Sequence, residues 1–241
     1  MPRRLAPAVA VLVLLCAAPA ASATTVYAAA SLRAVYPRID GRATFSFAGS
    51  NQLQLQIERG APADVFASAS PKEAQALYRE GRCTRPITFA TNRLVVIVPA
   101  ANRAKVRSVA DLRRGGLRVA IGTAGVPIGG YTRQVLRRLR LLDDLARNRV
   151  SQEPDVSSIT SKVALGSADM GFVYFTDARA SRDRTDPIAL PARAQARVEY
   201  QTCIVRRRGG DGDGAKAFIR RVLSDRGRRL LRAAGFGVPR R

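Results

Sequence analysis

Residues 24–35 read TTVYAAASLRAV, a β-branched and aromatic run that gives way to three alanines and a serine. Residues 25–29 have the composition of a buried strand. Alanines at its end let the backbone approach whatever lies beyond. Ser31 then falls where the chain turns into a helix-compatible segment. A serine at a strand-to-helix turn predicts an N-cap, and such an N-terminus is also a place where an anion is held.

The same arrangement recurs along the chain. Strand-like apolar runs fall at 25–29, 44–47, 65–69, 94–98, 118–121, 170–174 and 200–205. Amphipathic, helix-like stretches fall at 51–59, 71–80, 108–113, 130–139, 157–165 and 215–233. Their alternation predicts an α/β protein. Small polar turns join them: AAASL (28–32), FAGSNQL (47–53), GVPIGGY (125–131) and PDVSSIT (154–160). In open α/β sheets ligands collect at the carboxyl ends of strands, where helix N-termini point. Several such turns converging on one crevice would bind an anion through backbone N–H groups and hydroxyls, with no Lys or Arg. There is no internal repeat, no low-complexity tract and no linker between independent domains, so any two-lobed shape requires the chain to cross between lobes.

Composition narrows the function classes. The chain has 241 residues, 46% of them hydrophobic, enough to bury one core or two lobes. Residues 1–23 read as a cleaved secretory signal: Arg3 and Arg4, an apolar run over 5–15, and an Ala21-Ser22-Ala23 cleavage site. Export leaves two cysteines, Cys83 and Cys203, as one disulfide or as two buried thiols, and an oxidising compartment tips the reading toward the bond. The formal charge is +23, two fewer without Arg3 and Arg4. The arginines scatter along helix surfaces and there is no Trp, so no aromatic platform for nucleic acid is formed. A positive field would still steer anions toward a cleft.

The chain contains no His, which removes the usual general base and triad chemistry. GTAGVPIGG (122–130) is glycine-rich but lacks the Lys-Ser/Thr of a P-loop. Asp64 and Asp155, expected near the crevice, are the one carboxylate pair an enzyme reading could use. They read more simply as residues that cap or orient loops. The chain is therefore expected not to be an enzyme.

Taken in order, VYAAASL (26–32), SFAGSNQLQLQIERGAPADVFASA (46–69), NRLVVIVP (92–99), GVPIGGYTRQVL (125–136), VSSITSKVALGSADMGFVY (156–174), VEYQTCIV (198–205) and AAGFGVP (233–239) resemble the periplasmic molybdate-binding proteins of ABC transporters. The resemblance covers nearly the whole chain after the leader. It implies a type II periplasmic-binding-protein fold, with two lobes of mixed sheet flanked by helices and the ligand in the cleft between them. One lobe would be 24–91 with 198–241, the other 92–197. The implied ligand is molybdate or tungstate, with sulfate as the alternative oxyanion. No cofactor, no nucleic acid and no direct metal ligand are implied. The implied partner is the membrane permease, and the implied form is a periplasmic monomer. By family position the oxyanion would be held by the hydroxyls of Ser31 and Ser50, the backbone amides of Ile128 and Val156, and the hydroxyl of Tyr174.

The chemistry suits that ligand class. Molybdate, tungstate and sulfate are dianions near neutral pH, so a site of donors alone matches them, whereas a protonated phosphate oxygen also requires an acceptor. Two positions depart from the family. The first helix, within LRAVYPRI (32–39), is clipped and holds Pro37, and Gly49 stands where the family often carries another Ser.

Overall fold

In the computed structural model, which describes residues 23–239, the opening stretch forms strand β1 (Thr25–Ala29). The leader read at 1–23, apart from Ala23, lies outside the described residues. After β1 come α1 (Tyr36–Ile39), β2 (Thr44–Ala48), α2 (Ser50–Glu58), β3 (Val65–Ser68), α3 (Pro71–Arg79) and β4 (Ile87–Asn92). The chain crosses at Arg93, whose guanidinium stacks 3.7 Å over the Phe175 ring. A second unit follows: β5 (Leu94–Pro99), β6 (Arg118–Gly122), α4 (Pro127–Arg138), β7 (Arg149–Glu153), α5 (Val156–Ala164), β8 (Met170–Tyr174), α6 (Phe175–Ala180) and β9 (Thr185–Ala189). The return segment supplies β10 (Val198–Ile204), α7 (Gly212–Leu223) and α8 (Asp225–Ala234).

The strands make two sheets of the same design, ordered β2-β1-β3-β10-β4 and β7-β6-β8-β5-β9. In each, three strands run parallel and a fourth enters antiparallel from a crossover. β10 lies between β3 and β4, and β5 lies between β8 and β9. Each lobe therefore receives its antiparallel strand as the chain arrives from the other. This is the α/β two-lobed architecture, joined through strands rather than through a linker.

Strands covered on both faces need continuous apolar or small residues. VFAS in β3 and MGFVY in β8 are buried at every position. Helix α4 buries Ile128, Thr132, Val135 and Leu136, a stripe at helical spacing. The three strands that the periodicity does not reveal, β4, β7 and β9, are all sheet edges. Half-exposed edges carry polar residues, and β9 even holds Pro187, which an edge tolerates.

Two helical expectations are corrected. The segment after Ser108 is a 3-10 helix, Val109–Arg114, closed by a capping box between Ser108 and Asp111. The stretch at 215–233 is two helices, broken at Ser224, whose backbone is extended and whose hydroxyl accepts from Gly227 N at 3.1 Å. A side chain at Gly227 would start 2.2 Å from the Arg221 carbonyl oxygen, so the tight α7–α8 corner requires glycine there.

The Cys83–Cys203 disulfide is also corrected. Both thiols are free and buried. Cys83 lies opposite Val205 in an antiparallel bridge, which makes Cys203 its diagonal neighbour. Cys83 directs its thiol at the Ala74 carbonyl oxygen, 3.8 Å away. A hydrogen bond with Cys83, and then burial, push the Cys203 thiol above its ordinary range.

Candidate functional site

Between the lobes lies a cavity of about 20 Å³. It is walled by the carboxyl ends of β1, β2, β3 and β8 and by the loops entering α4 and α5. Ser31, Ser50, Ile128, Val156 and Tyr174 all line it, so the structure brings together the five residues singled out in the sequence. The rest of the wall is made of small groups (Ala29, Ala30, Ala48, Gly49 and Ala69) together with Val126, Pro127 and Asp155.

Neither serine spends its hydroxyl on a helix cap, so the N-cap expected at Ser31 is corrected. Ser31 sits inside a 3-10 turn, Ala30–Leu32, that Ala29 precedes without any side-chain cap. Its Oγ lies 2.8 Å from the Tyr200 hydroxyl. Asn92 Nδ2 donates to that same hydroxyl at 3.4 Å and to Thr176 Oγ1 at 3.0 Å. An amide NH₂ only donates, so it takes one acceptor position on Tyr200, and in the Ser31–Tyr200 pair either hydroxyl can donate. With Tyr200 as the donor, the Ser31 proton is left for the cavity that Ser31 lines.

Ser50 reaches the same state by another route. It is the first residue of α2, Gly49 is the N-cap, and no side-chain cap forms. The Ala69 amide donates to Ser50 Oγ at 3.1 Å, filling its acceptor and leaving its proton free. Ala69 is held by the turn between β3 and α3. There the buried Glu73 carboxylate accepts from Ser68 Oγ at 3.0 Å and from Ser70 Oγ. Sequence reading missed Tyr200, Asn92 and Glu73 as parts of the site. Ser31 and Tyr200 are 169 residues apart, and no local pattern marks such a pair.

The second lobe contributes amides and a phenol. Ile128 and Val156 occupy the first turns of α4 and α5, where the helix supplies no acceptor for the N–H. Both residues are buried and line the cavity. Tyr174, 2% exposed, has a hydroxyl with no hydrogen-bond partner. Burial first, and then neighbouring phenols and carboxyls, hold that phenol well above the ordinary tyrosine range. It keeps its proton and is a donor. A buried donor without an acceptor is costly, about 1–3 kcal/mol, unless something occupies the cavity.

The lobes meet closely here. A side chain at Gly49 would start 2.5 Å from the Pro154 carbonyl oxygen of the other lobe, and one at Gly125 would start 3.4 Å from Asn51 Nδ2. Gly49 thus permits the closed approach. The Tyr174 and Tyr200 rings make an edge-on contact across the junction at 5.9 Å. The clipped first helix, four residues long with Pro37 in its first turn, stands behind Ser31. Ser31 depends on Tyr200 rather than on that helix.

The carboxylates are separated. Asp155 lines the cavity but is the N-cap of α5, accepting from Ser158 N at 2.9 Å and from Ser158 Oγ at 3.3 Å. Asp64, expected near the crevice, lies at the opposite end of β1. There it accepts from Thr25 N at 2.8 Å, Arg207 at 2.7 Å and Asp211 N at 3.0 Å. The two do not form a catalytic pair. The titratable group that stands out is Asp177 in α6, whose carboxyl burial raises to about 7.

Known proteins are similar to this chain in sequence and fold. The molybdate-binding protein ModA of Mycobacterium tuberculosis is 34% identical over 229 residues, covering 91% of this chain and 86% of that one. ModA of Haemophilus influenzae is 31% identical over 238 residues, covering 91% of each. The solved periplasmic molybdate-binding protein of Azotobacter vinelandii is 26% identical and superposes with a TM-score of 0.79, over 90% of this chain and 100% of that one. A family model described as bacterial extracellular solute-binding protein matches residues 13–237, and the chain belongs to that family.

Proposed function

We propose that the protein captures molybdate or tungstate between its two lobes and delivers it to the permease of an ABC transporter. The observation that carries this reading is the buried, unpartnered Tyr174 hydroxyl in a cavity that Ser31, Ser50 and the first turns of α4 and α5 also line, and whose one carboxylate, Asp155, is engaged as the α5 cap. In this reading Ser31, Ser50 and Tyr174 donate through hydroxyls, and Ile128 and Val156 through backbone amides. Hydrogen bonds to a charged acceptor contribute roughly 1.5–3 kcal/mol each, so five of them offset a large desolvation cost. Closure keeps water out and strengthens each one.

The names of the relatives support the choice of molybdate among tetrahedral dianions. We assign residues 24–91 and 198–241 to one lobe and 92–197 to the other. The protein acts as a periplasmic monomer, without a cofactor and without catalysis. Calorimetric titration with molybdate, tungstate, sulfate and phosphate tests the reading. Saturable heat with molybdate and tungstate, and little with phosphate, is expected. Binding of phosphate but not molybdate overturns it, and a preference for sulfate replaces the ligand within the same site.

A further inference from the structure

A second and much larger cleft opens where the lobes meet beside α1, α5 and α6. Its volume is about 530 Å³, within the range of sites that take small organic molecules. Arg33 and Arg38 line it from one lobe, and Arg179, Arg182 and Arg184 from the other. Against these five guanidiniums stands one lining carboxyl, Asp177. Arg184 pairs with Asp183 at 3.4 Å, and Arg33 lies over the Phe47 ring at 5.0 Å. The guanidiniums of Arg38, Arg179 and Arg182 have no hydrogen-bond or ion-pair partner among the described residues. The hydroxyls of Ser157 and Ser161, at the α5 wall, likewise have no protein partner among them.

Like charges brought together from two lobes oppose closure unless an anion lies between them. A lone tetrahedral oxyanion leaves most of this volume empty. An anion with two or three carboxylate or phosphoryl groups reaches both walls, and guanidinium pairs with each such group through two parallel hydrogen bonds. We propose that this cleft is a second anion-binding site, taking a small organic polyanion that bridges Arg38 of one lobe and Arg179 and Arg182 of the other. Ser31 and Ala30 belong to the walls of both cavities, so the two sites are coupled through the closed form. A polyanion that clamps the lobes tightens oxyanion binding, and the oxyanion tightens polyanion binding by the same factor.

The probes are citrate and inorganic pyrophosphate, titrated calorimetrically at fixed ionic strength. The proteins are the wild type, Ser50→Ala, and the triple variant Arg38→Gln, Arg179→Gln, Arg182→Gln. The wild type and Ser50→Ala are expected to bind at least one probe at one per chain. The triple variant should bind it about tenfold or more weakly while its molybdate affinity stays within about threefold of wild type. Three results overturn the proposal: no heat with either probe, weak unsaturable binding that salt removes equally from wild type and triple variant, or displacement of the probe by molybdate mole for mole. Failure of molybdate to bind sinks the oxyanion reading and leaves the polyanion arm to decide on its own.

Discussion

Ser31 and Ser50 both line the cavity, but different groups hold them there. Tyr200, backed by Asn92, orients Ser31, whereas a main-chain amide orients Ser50. Ser31→Ala or Ser50→Ala should weaken molybdate binding by roughly 1–3 kcal/mol, a lost donor to a charged acceptor. Tyr200→Phe keeps the ring and removes only the hydroxyl, so it should cost about 1 kcal/mol of affinity through Ser31. Adding it to Ser31→Ala should cost almost nothing more, because the two act as one unit. Isothermal titration of the single and double variants measures this, and full additivity would mean that Tyr200 does not act through Ser31. At Gly49 the backbone angles, φ −61° and ψ 136°, suit any residue, so a substitution there leaves lobe folding intact. Its side chain would nevertheless meet the Pro154 carbonyl. Gly49→Val should therefore lower affinity by about tenfold or more while the melting temperature without ligand barely changes, a combination that identifies blocked closure.

Helices α5 and α6 carry separate predictions. Asp155 caps α5, whose first residue is Val156. Asp155→Ala should cost about 1 kcal/mol of stability in chemical denaturation and should also weaken molybdate binding, since the first turn that presents the Val156 amide loses its anchor. If Asp155 instead repelled the oxyanion, affinity would rise. Asp177 in α6 is held up at about 7 by burial, partly countered by Thr176, while Asp155 adds to the upward shift. A carboxyl whose folded pKa exceeds its unfolded value, near 4, contributes stability that is full below the unfolded value. That contribution is lost as pH rises to about 7, with no further loss above. Melting temperatures of the ligand-free protein between pH 4 and 8 should show this decline, and Asp177→Asn should flatten it. An unchanged slope would place the decline elsewhere.

At the scale of the whole molecule, function rests on two lobes that exchange antiparallel strands. The chain enters β5 and β10 from the opposite lobe, and each strand pairs inside the sheet it enters, so the crossovers join the two sheets directly. The closed arrangement holds an uncompensated Tyr174 hydroxyl, and a bound dianion removes that penalty and shifts the population toward closure. Small-angle scattering should show a smaller radius of gyration on adding molybdate. Ligand at a hundred times its Kd should stabilise the fold by about 2.7 kcal/mol, visible as a rise in melting temperature. The same scale explains which parts of the fold were legible. β1, β3 and β8 are buried on both faces and read as apolar runs, whereas β4, β7 and β9 are edges whose polar residues hide them. The break at Ser224 was hidden because both flanking helices carry amphipathic patterns, and only their corner packing separates them.

Residue order alone determined which chemistry is available: no imidazole, small residues and hydroxyls at strand ends, and helix-opening turns that offer amides. These follow from local spacing and from the physics of strand ends and helix first turns. The tertiary structure decided how those groups are used. It left the Ser31 and Ser50 hydroxyls uncapped at the cavity, held by Tyr200 and the Ala69 amide from distant parts of the chain. It moved Asp64 to the far end of β1 and left Cys83 and Cys203 as diagonal, unbonded thiols. It also set the glycine in FAGSN against a carbonyl of the opposite lobe. Each of these depends on which atoms meet across the sheets and the cleft, and one-dimensional spacing does not encode that.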